Sequence, residues 1–160
     1  MERLGVLFVC MGNICRSPAA EGVFLDAVRK AGLADRIAVE SAGTIGYHAG
    51  EPADARMRAA ARGRGYALDT PARQVDRGDF AKFRHIVAMD AHNARALRAM
   101  APDEESRRRV RLFLEWHPTL RGGDVPDPYY GGPEGFEEVL DLVEAATPAL
   151  LAEVRAGLDA

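Results

Sequence analysis

A short apolar run near the beginning of the sequence constrains the fold more than any other feature. Residues 4–9 read LGVLFV and contain no polar side chain. A strand of this composition has no face suited to water, so it must be covered on both sides. Helices that connect parallel strands provide that cover on the two faces of a sheet. The run therefore predicts an α/β fold built on a parallel sheet.

The same alternation of strand and helix continues along the chain. The predicted strands are residues 4–9, 37–40, 85–89 and 110–114. The predicted helices are residues 19–31, 53–64, 91–100 and 134–158, and residues 118–132 form a loop rich in Pro, Gly and Asp. No repeat or linker divides the chain. We expect one domain, residues 1–160, with an open sheet of four parallel strands and helices on both faces.

Charge and cysteine content narrow the classes of function. A net charge of −3 over 160 residues argues against a nucleic-acid partner. The apolar runs are too short to cross a bilayer, and no signal-peptide pattern is present, so we expect no membrane partner. Two cysteines are too few for the disulfide framework of a secreted domain. The sequence thus predicts a cytoplasmic protein.

Both cysteines lie in the segment between the first strand and the first helix, which reads CMGNICRSP. A strand-to-helix turn directs backbone N–H groups toward the space before the helix, where they bind anions. Gly12 and Asn13 tolerate the positive φ that curls such a loop. Ser17 suits the N-cap and Pro18 the first helical position. The segment therefore predicts a phosphate loop.

Cys10 and Arg16 give this loop its chemistry. The loop N–H groups, the helix dipole and the Arg16 guanidinium stabilise a thiolate at Cys10, and Arg16 offers a planar fork for two phosphate oxygens. The alternative is that Cys10 and Cys15 are small buried apolar residues and Arg16 a surface charge. The Gly-Lys-Ser/Thr end of a nucleotide-binding loop is missing. The four histidines are scattered along the sequence, so we expect neither a metal site nor a cofactor.

The segment CMGNICRSPAAE resembles the signature of the low-molecular-weight protein tyrosine phosphatases. The resemblance continues through SAGT at 41–44, EPAD at 51–54, ARQ at 72–74, HIVAMD at 85–90 and DPYYGG from Asp127. It implies a four-stranded parallel sheet with Cys10 as the nucleophile, Arg16 binding phosphate, Ser17 assisting the thiolate and Asp127 as general acid.

The same resemblance assigns supporting roles. It implies that Asn13 and Ser41 hold the loop in shape and that Cys15 forms a reversible disulfide with Cys10. The phosphate-binding residues are then Met11, Gly12, Asn13, Ile14, Cys15, Arg16 and Ser17.

A proton donor is expected from a loop near the phosphate site. Asp127 lies between two prolines, which stiffen the backbone that presents it. Asp124 is a neighbouring alternative, and only the family pattern favours Asp127. Tyr47, Tyr129 and Tyr130 are expected to form the wall of the entrance, with ordinary surface aromatics as the alternative.

Three positions depart from the pattern of the family. Thr70 replaces a common histidine, which puts in doubt a buried network around Asn13, although a threonine hydroxyl can substitute in part. Tyr47 replaces a tryptophan of many bacterial relatives. Ile14 stands where phosphoarginine phosphatases tend to have threonine, which favours phosphotyrosine.

These observations predict a metal-independent phosphatase. It would hydrolyse phosphotyrosine in proteins and small aryl phosphates through a cysteinyl phosphate, release inorganic phosphate and act as a monomer. The alternatives are a phosphoarginine phosphatase, a thioredoxin-coupled arsenate reductase, and a non-catalytic phosphate-binding or redox-sensing module. The reductase requires further cysteines, and none follows Cys15. A binding module has no use for the proton donor Asp127.

Overall fold

The first strand, β1, runs from Leu4 to Cys10 at the centre of a four-stranded sheet. A computed structural model describes residues 2–159; the expected domain 1–160 includes Met1 and Ala160, which lie outside the described residues. The other strands are β2 (Ile37–Gly43), β3 (His85–Ala88) and β4 (Val110–Leu112). The helices are α1 (Arg16–Lys30), α2 (Ala55–Arg62), α3 (Asp79–Lys82), α4 (Ala91–Met100), α5 (Glu104–Arg108) and α6 (Pro133–Leu158).

The strands are parallel and their order is β2-β1-β3-β4. From β1 the chain moves to β2 on one side and later to β3 on the other, so the strand order reverses beside β1. In open α/β sheets, ligands bind at such a switch point, beyond the carboxyl ends of the strands. The chain that follows Cys10 lies there. The prediction of a single-domain parallel α/β fold is confirmed.

Side chains of β1 enter two cores in alternation, as a strand buried on both faces requires. Val6 and Phe8 pack on one face with residues of α1 and α6, and the Phe8 ring lies 5.5 Å from that of Phe24. Leu7 and Val9 pack on the other face, in a core that α3 and α4 cover. Burial of all four side chains explains the uninterrupted apolar run.

Element boundaries differ from the predictions where tertiary contacts compete with local propensity. Strand β2 continues to Gly43, three residues further than predicted, because it pairs with β1 up to Cys10. Strand β4 ends at Leu112 and gives way to a 3₁₀ turn at Phe113–Trp116. Helices α3 and α5 were not predicted, since a periodic pattern is not readable over four or five residues.

The predicted start of the first helix was wrong. Helix α1 begins at Arg16, and Cys15 is its N-cap residue without a side-chain cap. The Ser17 hydroxyl contacts Cys10 and Asn13 instead of capping the backbone. Pro18 is the third helical residue, and its missing N–H is tolerated because the first turn leaves such groups unpaired. No helix among residues 2–159 has the length and apolar character needed to cross a membrane.

Candidate active site

The loop between β1 and α1 has its carbonyl groups occupied and its N–H groups free. The carbonyl oxygens of Cys10, Met11 and Ile14 accept hydrogen bonds from the backbone N–H groups of Thr44, Ile45 and Asp54 at 2.9, 3.1 and 2.8 Å. Within residues 2–159, no backbone N–H of residues 11–15 donates to another group. Backbone donors without partners, placed before a helix, form an anion-binding site.

Asn13 holds the curvature of this loop. Its φ of 59° is the one positive φ at a non-glycine residue in the described chain, whereas Gly12 does not adopt one. The Asn13 Oδ1 accepts from the Arg73 N–H at 2.9 Å, which compensates the cost of the left-handed conformation. The end of β2 approaches closely, since a Cβ on Gly43 would lie 2.6 Å from the Met11 oxygen. The loop is therefore held from two neighbouring segments.

A chain of buried hydrogen bonds leads from this support to the Cys10 sulfur. The Asn13 Nδ2 group donates to Ser17 Oγ at 2.8 Å and to Ser41 Oγ at 2.9 Å. Ser17 Oγ lies 3.0 Å from Cys10 Sγ. Because Ser17 already accepts from Asn13, its own hydrogen can be donated to the Cys10 thiolate. The structure thus brings together Cys10, Asn13, Ser17 and Ser41.

Glu21 extends this chain and was missed by the sequence reasoning. Its carboxylate accepts from Ser41 Oγ at 2.5 Å and from Thr70 Oγ1 at 2.9 Å. Thr70 therefore joins the network around Asn13 through Glu21, so the buried network is present without the histidine. Burial raises the pKa of Glu21, although the two hydroxyl donors oppose that shift. The only sequence signal was its place at the end of the CMGNICRSPAAE segment.

We expect Glu21→Gln to lower kcat/KM by roughly tenfold, since a lost buried hydrogen bond costs about 1–3 kcal/mol of loop order. It should also change the pH dependence of stability. A pKa raised above 4.5 means that the folded state binds the proton more tightly. The contribution of Glu21 to stability is then greatest below pH 4.5 and declines as pH rises through its folded pKa.

Urea unfolding between pH 4 and 8 measures this effect. The stability of Glu21→Gln relative to wild type should increase with pH. Glu138→Gln is the matched control, because Glu138 is an exposed glutamate of α6. Parallel pH curves for wild type and Glu21→Gln would contradict the assignment.

Arg16 is buried, and the contacts of one amino group of its guanidinium, Nη1, orient the side chain. Its Nη1 contacts Asp90 Oδ2 at 2.6 Å and donates to the Val125 oxygen at 3.1 Å. Its Nη2 lies 3.7 Å from Asp127 Oδ2. Burial alone would lower the pKa of Arg16, but the neighbouring Cys10, Asp90 and Asp127 outweigh it and raise the pKa. The guanidinium therefore stays charged, with Nε and Nη2 available for phosphate oxygens.

Asp90 was not predicted as a site residue, although it ends the HIVAMD segment. It follows β3 at the switch point and serves two elements: Oδ2 contacts Arg16, and Oδ1 accepts from the Asn93 N–H at 2.7 Å as the N-cap of α4. In the sequence Asp90 has the features of a helix N-cap only. Its contact with Arg16 could not be predicted, because the two residues are 74 positions apart in the chain. Asp90 is therefore a positioning residue for the guanidinium.

A pocket of about 350 Å³ opens above the loop, a size suited to a small ligand group. Its lining includes Cys10, Gly12 and Arg16. The predicted Met11, Ile14, Cys15, Tyr47, Tyr129 and Tyr130 also line it, together with Ile45 and His48, which were not predicted. Tyr47 and Tyr130 are 82% and 94% exposed, so they stand at the rim of the pocket.

Asp127 lines the pocket and Asp124 does not. The Asp127 carboxylate is partly exposed and accepts from the Tyr129 N–H at 3.1 Å, which orients it within its loop. The Asp124 Oδ1 accepts from the Ala91 N–H at 2.9 Å, at the start of α4. The sequence did not decide which of these two carboxylates lies near the phosphate site. In the structure only Asp127 lines the pocket.

Cys15 is buried and, like Cys10, a free thiol. Burial raises the pKa of Cys15 strongly, with a further contribution from nearby Asp54. The Cys15 thiol is thus protonated at neutral pH.

Fold and site together define a class: an α/β protein whose cysteine begins an anion-binding loop at the switch point of a parallel sheet. Residues 5–159 match the family described as low molecular weight phosphotyrosine protein phosphatase. A low molecular weight protein-tyrosine-phosphatase of Streptomyces coelicolor is 52% identical over 152 residues, which cover 94% of this chain and 93% of that protein.

Solved structures that are similar to this chain indicate the same family. A protein tyrosine phosphatase from Entamoeba histolytica, crystallised with Hepes in the active site, has a TM-score of 0.92 and 40% identity and covers 96% of this chain and 98% of its own. YfkJ from Bacillus subtilis has a TM-score of 0.90 and 39% identity, with 98% of each chain covered. The chain belongs to the low molecular weight phosphotyrosine protein phosphatase family, and it is an enzyme of that phosphatase class.

Proposed function

We propose that this enzyme hydrolyses phosphotyrosine in proteins and small aryl phosphates through a cysteinyl phosphate, without a metal ion. One observation carries the proposal: Cys10, Arg16 and Asp127 line a single pocket whose base is a loop with unpartnered N–H groups. A nucleophile, a phosphate cradle and a proton donor are the three parts that phosphate monoester cleavage requires.

In the first step the Cys10 thiolate attacks phosphorus in line with the phenolic oxygen. The P–S bond forms as the P–O bond breaks, and Asp127 gives its proton to the departing oxygen, which releases tyrosine. The loop N–H groups and the Arg16 fork hold the three non-bridging oxygens. Since Nη1 is engaged by Asp90, Nε and Nη2 are the atoms suited to bidentate contact.

In the second step water attacks phosphorus and Asp127, now a carboxylate, accepts its proton. The P–S bond breaks and inorganic phosphate leaves. The sulfur becomes a thiolate again, and the Ser17 hydroxyl at 3.0 Å is placed to donate to it. Ser17 therefore stabilises the leaving thiolate by a hydrogen bond, without transferring its proton, whereas Asp127 protonates the leaving oxygen in the first step.

The pocket wall supports an aromatic substrate. Tyr47, Tyr129 and Tyr130 line the pocket, and Ile14 contributes an apolar surface from the loop itself. A tyrosyl ring can pack edge-on or offset against these rings, an arrangement worth about 0.5–1.5 kcal/mol beyond burial. A charged guanidinium of phosphoarginine gains less from an isoleucine. The wall thus supports phosphotyrosine over phosphoarginine.

We expect the wild-type enzyme to hydrolyse a phosphotyrosine peptide in EDTA with a kcat/KM at least about tenfold above that for a phosphoarginine peptide, a difference of about 1.4 kcal/mol. Ile14→Thr should move this ratio toward phosphoarginine. Ile45→Thr is the matched control, because it makes the same change in the wall but outside the loop. Equal kcat/KM values for both peptides in the wild type would refute the phosphotyrosine assignment, and loss of turnover in EDTA would refute the metal-free mechanism.

Cys15 supports a proposed redox control of the same site. Peroxide converts the Cys10 thiolate to a sulfenic acid with loss of hydroxide; the Cys15 thiol then displaces water and closes a disulfide. Burial keeps Cys15 protonated, so Cys10 reacts with peroxide first.

We expect the wild type to recover activity after peroxide treatment when dithiothreitol is added, because the disulfide prevents further oxidation of Cys10. Cys15→Ala should recover much less, because its sulfenic acid proceeds to sulfinic acid. Activity before peroxide and after dithiothreitol is compared for each variant, with mass spectrometry of the loop peptide. Equal recovery of both proteins would contradict a protective disulfide.

The remaining expectations belong to this proposal as well. We propose that the enzyme acts in the cytoplasm, which the two free thiols support because they suit a reducing compartment. We also propose that it is a monomer. The absence of cysteines after Cys15 also favours a phosphatase over a thioredoxin-coupled arsenate reductase, which must pass a disulfide outward. Light scattering of the purified protein measures its mass in solution.

A further inference from the structure

The residue immediately before each of the four strands is an arginine. These residues are Arg3 before β1, Arg36 before β2, Arg84 before β3 and Arg109 before β4. Because all the strands are parallel, the four arginines lie at the same edge of the sheet. This is the amino edge, opposite the edge that carries Cys10. Neighbouring strands are about 4.8 Å apart. Arg3 and Arg36 are level, because Leu4 pairs with Ile37, whereas Arg84 lies two residues further along, because His85 pairs with Val6.

Three neighbours in this row have no carboxylate partner among residues 2–159. In sheet order they are Arg36, Arg3 and Arg84, and all three are exposed. Arg36 donates to the Leu158 oxygen, whereas Arg109 pairs with Glu105 at 3.0 Å. Exposed like charges in a row repel one another and attract an anion. With the two-residue stagger of Arg84, the uncompensated part of the row is about 12 Å long.

The row lines an open groove of about 800 Å³. Seven arginines and lysines line it. Four of them, Lys82, Arg108, Arg109 and Arg111, pair with glutamates, so the charge uncompensated among residues 2–159 is that of Arg3, Arg36 and Arg84. This charge is concentrated in a protein whose net charge is −3. His85 also lines the groove, but burial lowers its pKa, so it is neutral at pH 7 and adds no charge.

We infer that this amino-edge groove is a docking site for a short acidic segment of a partner polypeptide. Alternate residues of an extended peptide are about 7 Å apart, so two or three of its carboxylates can reach the uncompensated guanidinium groups together. Leu4 and Leu158 provide apolar surface for the stems of glutamate side chains in the same groove.

Other anions fit the groove less well. His85 is the one ring among its lining residues, so nucleic-acid bases find little to stack on, and a net charge of −3 repels a long polyanion. Membrane binding by a basic surface usually needs an apolar anchor beside it. The large exposed apolar side chains of residues 2–159 lie elsewhere, four of them lining the pocket above Cys10 and the fifth being Leu120.

The groove and the phosphate loop are separate sites. Strand β1 begins beside the groove at Leu4 and ends at Cys10, a length of about 20 Å. A peptide bound in the groove therefore leaves the pocket open, and hydrolysis of a small substrate should not change when it binds.

Fluorescence anisotropy with a fluorescein-labelled octaglutamate peptide tests the inference. We expect saturable binding that weakens as salt increases, and a loss of affinity of about tenfold or more in Arg3→Glu/Arg84→Glu, because two attractive charges become repulsive. Arg62→Glu/Arg95→Glu is the matched control: it makes the same change of net charge at exposed arginines outside both the groove and the pocket. It should bind nearly as well as the wild type.

Amide chemical shifts locate the bound peptide, with changes expected at Leu4, Gly5 and His85. Hydrolysis of p-nitrophenyl phosphate by Arg3→Glu/Arg84→Glu should equal that of the wild type, which shows that the variant is folded and keeps this test independent of the proposed function. Equal weakening in both double variants, or shift changes confined to residues 11–16, would overturn the inference. Tighter binding of an eight-thymidine oligonucleotide or of phosphatidylserine vesicles, lost in Arg3→Glu/Arg84→Glu, would overturn the choice of partner.

Discussion

Cys10→Ser should reduce turnover of every phosphate ester by on the order of 10⁴-fold or more, while inorganic phosphate still binds. The serine hydroxyl is not ionised at neutral pH and cannot form the phosphoenzyme at a useful rate. The cradle does not depend on the thiol, because its parts are the N–H groups of residues 11–15 and the Arg16 guanidinium, which Asp90 orients. Removing the negative sulfur from the base of the pocket should even favour the phosphate anion.

Steady-state kinetics with p-nitrophenyl phosphate and calorimetric titration with inorganic phosphate measure the two effects. Cys15→Ser makes the same chemical change in the same loop and should lose far less turnover, since its thiol is protonated. If Cys10→Ser retained appreciable turnover, Cys10 would not be the nucleophile. If it lost phosphate binding as well, the thiol would be part of the cradle.

Asp127→Ala should show the second-largest effect, and its size should depend on the leaving group. General acids typically contribute about 10²- to 10⁴-fold. We expect a loss of that order in kcat/KM for phosphotyrosine and a smaller one for p-nitrophenyl phosphate, because nitrophenolate leaves readily without a proton. Inhibition by inorganic phosphate should change little. The contact between Asp127 and Arg16 is long, at 3.7 Å, so its loss leaves the loop N–H groups and the guanidinium in place.

Asp124→Ala is the control for this substitution. Asp124 accepts a hydrogen bond at the start of α4, so its removal should lower stability without creating a dependence on the leaving group. A uniform and mild effect of Asp127→Ala on all substrates, with the dependence appearing in Asp124→Ala, would reassign the proton donor. The pH profile of kcat/KM provides a second measurement, because the limb that reports the acid should flatten only in the variant that lacks it.

The fold was readable from the sequence because its main signals are local. An apolar strand without a polar face requires cover on both sides, and β1 contributes Val6 and Phe8 to one core and Leu7 and Val9 to the other. The signals of the candidate site were also local, since residues 10–17 contain the proposed nucleophile, the unpaired N–H groups and the guanidinium. The N-cap was the local prediction that failed, because the Ser17 hydroxyl contacts the thiol rather than its own backbone.

The residues that support the loop from other segments could not be predicted from local sequence patterns. Glu21 meets Thr70 across 49 positions of the chain and Arg16 meets Asp90 across 74, and no periodicity connects such pairs. His48 gave no signal, yet it lies at the pocket wall.

The sequence by itself determined a parallel α/β sheet and the strand-to-helix turn that carries the proposed phosphate loop, because hydrophobic pattern and turn chemistry act between neighbouring residues. Only the tertiary structure decided which groups orient Arg16, that Thr70 serves the Asn13 network, and that Asp127 rather than Asp124 reaches the pocket. It also brought four arginines from distant segments to one edge. The physical reason is that parallel strands align their ends in space, whereas the residues at those ends are dozens of positions apart in the chain.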